Sequence, residues 1–162
     1  MALARSALAT GLSQKRIRQF VDASDFGIKV TVQEIGLMIE LELGVLPSVN
    51  SYYGRAKTGQ VYIKKAGKKY RNDVILLTKL AGIEPLDGPV IMEVDFYPPS
   101  NGRHDGDNIL KSLWDSLEGY AYWNDDQIVR ATVEKMDPIK GGRVDVRIVR
   151  ARRIGIRWMM DL

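Results

Sequence analysis

The clearest alternation in the chain sets Val90, Met92, Val94 and Phe96 against Ile91, Glu93, Asp95 and Tyr97. A period of two with one apolar face predicts a β-strand near 90–97. Ile39, Leu41 and Leu43 alternate with Glu40 and Glu42, predicting a strand near 37–46 that Pro47 ends. Residues 127–136 are rich in β-branched side chains, and Val144, Val146 and Ile148 share a face within 143–149. Those two stretches predict strands joined as a hairpin around 137–142. A shorter strand, 60–63, follows Gly59. Helical spacing takes over twice. Tyr70, Val74, Leu77 and either Leu80 or Ala81 predict a helix near 66–81, stopped by Gly82. Ile109, Leu110, Leu113, Trp114 and Leu117 predict another near 107–118, stopped by Gly119. The sum is a two-layer α+β domain: a mostly antiparallel mixed sheet with the helices on one face.

The first 36 residues follow a weaker pattern. Ser13 is positioned to cap a short helix through Val21, with Ile17, Phe20 and Val21 inward, and residues 28–32 alternate like a strand. We therefore separate an N-terminal extension, 1–36, from a folded domain, 37–162. Arg5, Lys15, Arg16 and Arg18 precede the first acid, Asp22, a bias shared by ordinary extensions and organelle-targeting segments. At the other end Arg150, Arg152, Arg153 and Arg157 surround Trp158, which suits either DNA contact or a tail packed on the sheet. No repeat or low-complexity linker divides the chain.

Composition narrows the chemistry. The 162 residues include no cysteine and one histidine, which argues against a disulfide scaffold or a zinc site and permits the cytoplasm. No apolar run reaches the ~18 residues of a membrane span. A net charge of +4 and a pI near 9.3 point weakly to a polyanionic partner. Phosphate-cradling glycine loops and dinucleotide fingerprints are absent, so no small-molecule cofactor is expected.

The densest group of short acids lies in residues 103–129. Asp105 and Asp107 stand two apart, so on extended backbone both carboxylates point the same way. The helix that follows shows Asp107, Asn108, Lys111 and Asp115 on its polar side, and Asn124, Asp125 and Asp126 form a turn beyond it. A helix packed on a sheet is expected to return its chain near its own start, bringing Asp126 beside Asp105 and Asp107. Like charges that close demand a neutralising cation, and an all-oxygen set suits Mg²⁺ or Mn²⁺. Each piece alone has a plainer reading: a D-x-D ahead of a helix is ordinarily a cap plus a solvated acid, and D-D is ordinary turn chemistry.

Taken together, Asp105, Asp107, Asn108, Lys111 and Asp115, then Tyr122, Trp123, Asp125, Asp126 and Ile128, resemble the signature of the RusA family of Holliday junction resolvases. Glu134, Lys135 and Met136, residues 140–143, and the turn from Leu46 to Tyr53 extend the resemblance over about residues 41–149. The resemblance implies an Mg²⁺-dependent endodeoxyribonuclease (Mn²⁺ a possible substitute). It would act as a cytoplasmic homodimer that resolves four-way DNA junctions by paired symmetric cuts. Asp105, Asp107 and Asp126 would then hold metal, and Lys111 would touch phosphate or pair with Asp107. Asn108 would orient substrate or the metal's surroundings, with Asp115 and Asp125 as supporting acids.

Arg103, Asn50, Lys68 and Lys69 complete the expected DNA contacts, although Asn50 equally suits a role within its own turn, and a lysine run equally suits a solvated face. His104 is expected near phosphate rather than as a base. Two rivals stand beside this reading: a nuclease for flaps or other branched DNA, and a junction-binding protein without catalysis.

Overall fold

The computed structural model describes residues 17–23, 28–34, 38–102 and 107–161, the first two stretches and residues 107–108 as backbone only. In chain order the elements are β1 (Ile17–Ala23), β2 (Ile28–Glu34), β3 (Met38–Gly44), α1 (Val49–Tyr52), β4 (Tyr53–Arg55), β5 (Val61–Ile63) and α2 (Lys65–Leu80). Then come β6 (Val90–Tyr97), α3 (Asp107–Leu117), a 3-10 turn (Asp125–Gln127), β7 (Ile128–Lys135), β8 (Arg143–Ile154) and β9 (Arg157–Met160).

The main sheet has the order β3-β8-β6-β7, with β9 added to β8. Period-two alternation puts Ile39, Leu41 and Leu43, Val90, Met92, Val94 and Phe96, and Val144, Val146 and Ile148 into one buried cluster. Tyr70, Val74, Leu77 and Ala81 of the α2 segment and Ile109, Leu113 and Leu117 of α3 fill the same cluster. The helices thus cover one face of the sheet, and Leu80 points out, 56% exposed.

The other face is charged. Arg147 bridges Glu40 and Glu93 at 3.0 Å each, and Arg143 lies 3.0 Å from Asp145 and 3.7 Å from Glu42. Register aligns Glu42, Asp145, Asp95 and Glu134 across four strands. Burial pushes the Asp145 carboxyl above the usual carboxylate range, Arg143 opposes the shift, and Glu42 and Asp95 add to it.

Several expectations need correction. Residues 127–136 and 143–149 do not form a hairpin. β7 runs parallel to β6, and β8 sits between β3 and β6, antiparallel to both. A parallel pair needs a crossover, and α3 supplies it. Residues 136–142 then step over the end of β6, where Met136 N–H donates to the Phe96 carbonyl and Ile139 N–H to that of Pro98. The short strand near 60–63 belongs to a separate β4–β5 ribbon, not to the main sheet. The helix expected through Val21 is strand β1, paired antiparallel to β2; its supposed cap, Ser13, lies outside the described residues. Within the expected turn before the ribbon, Val49–Tyr52 is one helical turn. The tail forms β9 on β8, with the Arg153 guanidinium 6.0 Å from the Trp158 ring. No helix among the described residues is long and apolar enough to cross a membrane.

Candidate functional site

Because α3 joins two parallel strands, its ends lie at opposite ends of the sheet. Asp107 opens the helix after the C-terminal end of β6, and the chain comes back at the start of β6, where Ile128 pairs with Val90. Asp107 and Leu117 are ten residue steps apart along α3, about 15 Å of axis. Gly119, at φ 78°, stops the helix with backbone that a side chain would strain. The Asp125–Asp126 turn lies beyond that stop. The expectation that the chain would come back beside its own start therefore does not hold for Asp107 and Asp126 within one chain. Asp105, Arg103 and His104 lie outside the described residues, as do the side chains of Asp107 and Asn108. Among the described residues, no three acid or histidine side chains gather as a metal cage.

The far turn is held by a residue the sequence reading passed over. Gln127 Oε1 accepts from the backbone N–H of Trp123 and Asn124, at 2.7 and 2.9 Å. Its Nε2 donates to the carbonyls of Leu86 and Gly88, at 3.0 and 2.6 Å. Asn124 Oδ1 accepts from Asp126 N–H, completing a capping box. The Asn124–Gln127 spacing was the available signal. Both acids of the turn are exposed.

At the near end, Lys111 stands one turn into α3, 68% exposed, its Nζ 4.0 Å from Asp115 and 5.6 Å from the Tyr53 ring centroid. The Tyr53 hydroxyl donates to Asp115. Burial and that carboxylate hold the Tyr53 phenol well above its ordinary pKa, so it stays a donor across the working pH range. Asp115 is thus occupied by Tyr53 and only loosely engaged with Lys111. One step inward, Tyr52 OH meets Ser116 Oγ at 3.0 Å, which locks α1 onto α3.

The basic run lies at the start of α2, on the same end of the sheet: Tyr70 OH donates to the Gly44 carbonyl at 3.2 Å, where β3 finishes. Lys68 is exposed, and Lys69 pairs with Asp73 at 2.7 Å. Lys64 Nζ donates to the Asn50 carbonyl at 2.7 Å, which ties the start of α2 to the turn that carries Asn50. An open groove of about 610 Å³ runs between these parts, lined by Asn50, Tyr53, Arg55, Tyr62, Lys64 and Lys111. The structure therefore gathers Asn50, Lys111, Asp115 and the first turn of α2 along one side of α3, and leaves Asp125 and Asp126 beyond its foot. Arg55 and Tyr62 were not singled out as site residues from sequence, whereas Lys64 opens the basic run weighed there for phosphate contact.

Comparison with known proteins gives the family. The family model described as "Endodeoxyribonuclease RusA" matches residues 43–149. Proteins named "Crossover junction endodeoxyribonuclease RusA" from Shigella sonnei and from Escherichia coli strain K12 are each 36% identical over 104 residues. That span is 63% of this chain and 86% of theirs. The protein of the same name from Enterobacteria phage 82 is 36% identical over the same shares. The match contains β3's end, all three helices, the groove and the far turn, and on it the chain belongs to the RusA family of endodeoxyribonucleases.

Proposed function

We propose that this enzyme resolves four-way DNA junctions by paired, symmetric, metal-dependent phosphodiester cleavage. The observation that carries the reading is the exposed Lys111, one turn after Asp107, facing a cationic groove at the end of the sheet where the motif acids begin. The curated relatives bear the name crossover junction endodeoxyribonuclease, which supports the substrate class.

Asp105, Asp107 and Asp126 are the acids proposed to hold Mg²⁺ or Mn²⁺, with Asp125 beside them. An all-carboxylate donor set in a cysteine-free chain fits a hard divalent ion. Bound there, the ion supplies charge stabilisation at the attacked phosphate and acidifies a water. Everything else falls to the chain. Lys111 holds a phosphate oxygen; Asp115, fixed by Tyr53, lies beside it as a supporting acid; Asn108 orients the strand. Arg103, Asn50, Lys68 and Lys69 hold the backbone on either side.

The length of α3 adds a condition. It supports a site shared between two copies of the chain, with Asp107 from one and Asp126 from the other. A homodimer also matches the two-fold symmetry of a four-way junction. A cytoplasmic setting agrees with a cysteine-free, DNA-acting enzyme.

The test incubates the protein with a synthetic four-way junction, a flap and a plain duplex, in Mg²⁺ and in EDTA. Cutting of the junction alone, only with Mg²⁺, is expected, and Asp107→Asn should bind without cutting. Full Mg²⁺-dependent cutting by Asp107→Asn refutes the mechanism. Preferential cutting of the flap would move the substrate assignment. A mixture of Asp107→Asn and Asp126→Asn chains should regain nicking, because one of the two sites in a mixed dimer keeps both acids. No regain in verified mixed dimers refutes the shared site.

A further inference from the structure

The β4–β5 ribbon carries a feature that phosphate binding does not use. Tyr62 and Val61 are 51% and 56% exposed, on a ribbon with only three paired positions. Directly across from Tyr62 stands Gly54. The phenol end of the Tyr62 ring lies where a side chain at Gly54 would be: a Cβ there would sit 2.5 Å from Cζ and 2.8 Å from the hydroxyl. The missing side chain lets the ring lie down over its neighbouring strand, half of it still open to solvent. The ribbon is itself fixed at its root, because Lys64 N–H donates to the Tyr52 carbonyl at 2.7 Å and Tyr52 is wholly buried. Tyr62 is thus a flat, supported aromatic surface on a rigid element, lining the same groove as Arg55, Lys64 and Lys111.

A half-exposed aromatic among cations is costly as decoration and useful as a stacking surface. Bases offer π-faces to such a ring, and their phosphates suit flanking cations. A base inside a duplex already stacks on its neighbours, so the free face belongs to a base that has lost its pairing. We propose that Tyr62 stacks on one unpaired base of the DNA strand entering the groove, next to the cut phosphodiester, with Arg55 and Lys64 holding the phosphates on either side. This rests on the nuclease reading above and adds how the enzyme tells a branch point from plain duplex: only a branch point readily surrenders a base.

The test uses the full chain, in Ca²⁺ to prevent cutting, with 2-aminopurine placed beside the cleavage point of a four-way junction. The same reporter is placed in a single-stranded oligonucleotide and in a plain duplex. Wild type should quench the reporter in the junction and in the single strand but not in the duplex. Tyr62→Ala should lose the quench and weaken junction binding by about tenfold, with duplex binding unchanged. Tyr62→Phe should behave as wild type, since stacking needs the ring and not the hydroxyl. In Mg²⁺, a junction with a mismatch at the reporter position should restore cutting by Tyr62→Ala, because the base is already unpaired. Equal binding and quench in wild type and Tyr62→Ala overturns the proposal, as does a Tyr62→Phe defect as large as that of alanine. If wild type cuts no junction yet shows Tyr62-dependent quench on the single strand, the junction assignment fails and the stacking site stands.

Discussion

The seam between α1 and α3 gives the most quantitative prediction. Ser116 spends its one hydroxyl proton on the Ser112 carbonyl at 2.7 Å, so Tyr52 must be the donor in its 3.0 Å bond to Ser116. Both side chains are fully buried. Ser116→Ala removes the acceptor and leaves the Tyr52 hydroxyl in a dry interior, at a cost of about 1–3 kcal/mol. Tyr52→Phe removes the donor alone, and Ser116 keeps its bond to Ser112, so its cost should be about 1 kcal/mol. In the double variant no unpaired hydroxyl remains, and the loss should fall short of the sum by about 1 kcal/mol. Each kcal/mol lowers Tm by about 2–4 °C in a protein of this size, so the four midpoints are separable by calorimetry or urea titration. Strictly additive losses would refute the bond. Because Tyr52 also anchors the ribbon, Ser116→Ala should weaken junction binding more than the double variant does.

Other expectations are simpler. Lys111→Ala should cut about tenfold to a hundredfold more slowly, the worth of one charge-assisted phosphate contact, with little change in metal affinity measured by titration. Normal cutting would make Lys111 structural. Gln127→Ala gives up four hydrogen bonds at the far turn; it should cost about 1–3 kcal/mol and slow cutting through the misplaced acids. An unchanged rate would separate that turn from the chemistry. Asp145 has a carboxyl pKa raised by folding, so its contribution to stability is present below the ordinary carboxylate pKa and is lost as pH rises through the raised value. Asp145→Asn should therefore gain stability relative to wild type as pH rises above the ordinary carboxylate pKa, read as urea midpoints. A gap that narrows over that range would contradict the sign.

The legible parts of the fold were those that local pattern decides. Alternation at Ile39–Leu43 and at Val90–Phe96 marked β3 and β6, and the spacing of Tyr70, Val74 and Leu77 marked α2. Pattern tells a residue which face it takes and nothing about which strand lies beside it. The turn residues after β7 read as a hairpin, yet the neighbour of β7 is β6, because α3 is long enough to carry the chain back along the sheet. The same blindness affected the site. Lys111 and Asp115 were placed correctly relative to one another by helical spacing. The distance from Asp107 to Asp126 depended on strand direction, which spacing does not encode. Ile17, Phe20 and Val21 satisfied a helical spacing over too few residues to outweigh pairing with β2.

The charged face of the sheet has an effect at long range. A net charge of +4 hides an uneven distribution, with Glu40, Glu42, Glu93, Asp95, Glu134 and Asp145 on one side against Arg130, Arg143 and Arg147, and lysines crowding the start of α2 on another. Such a molecule is an electric dipole as well as a weak cation. In the field of a polyanion it turns before it touches, lysine side leading, so that fewer encounters are wasted on the wrong orientation. Added salt should erode that advantage faster than it erodes the contacts themselves.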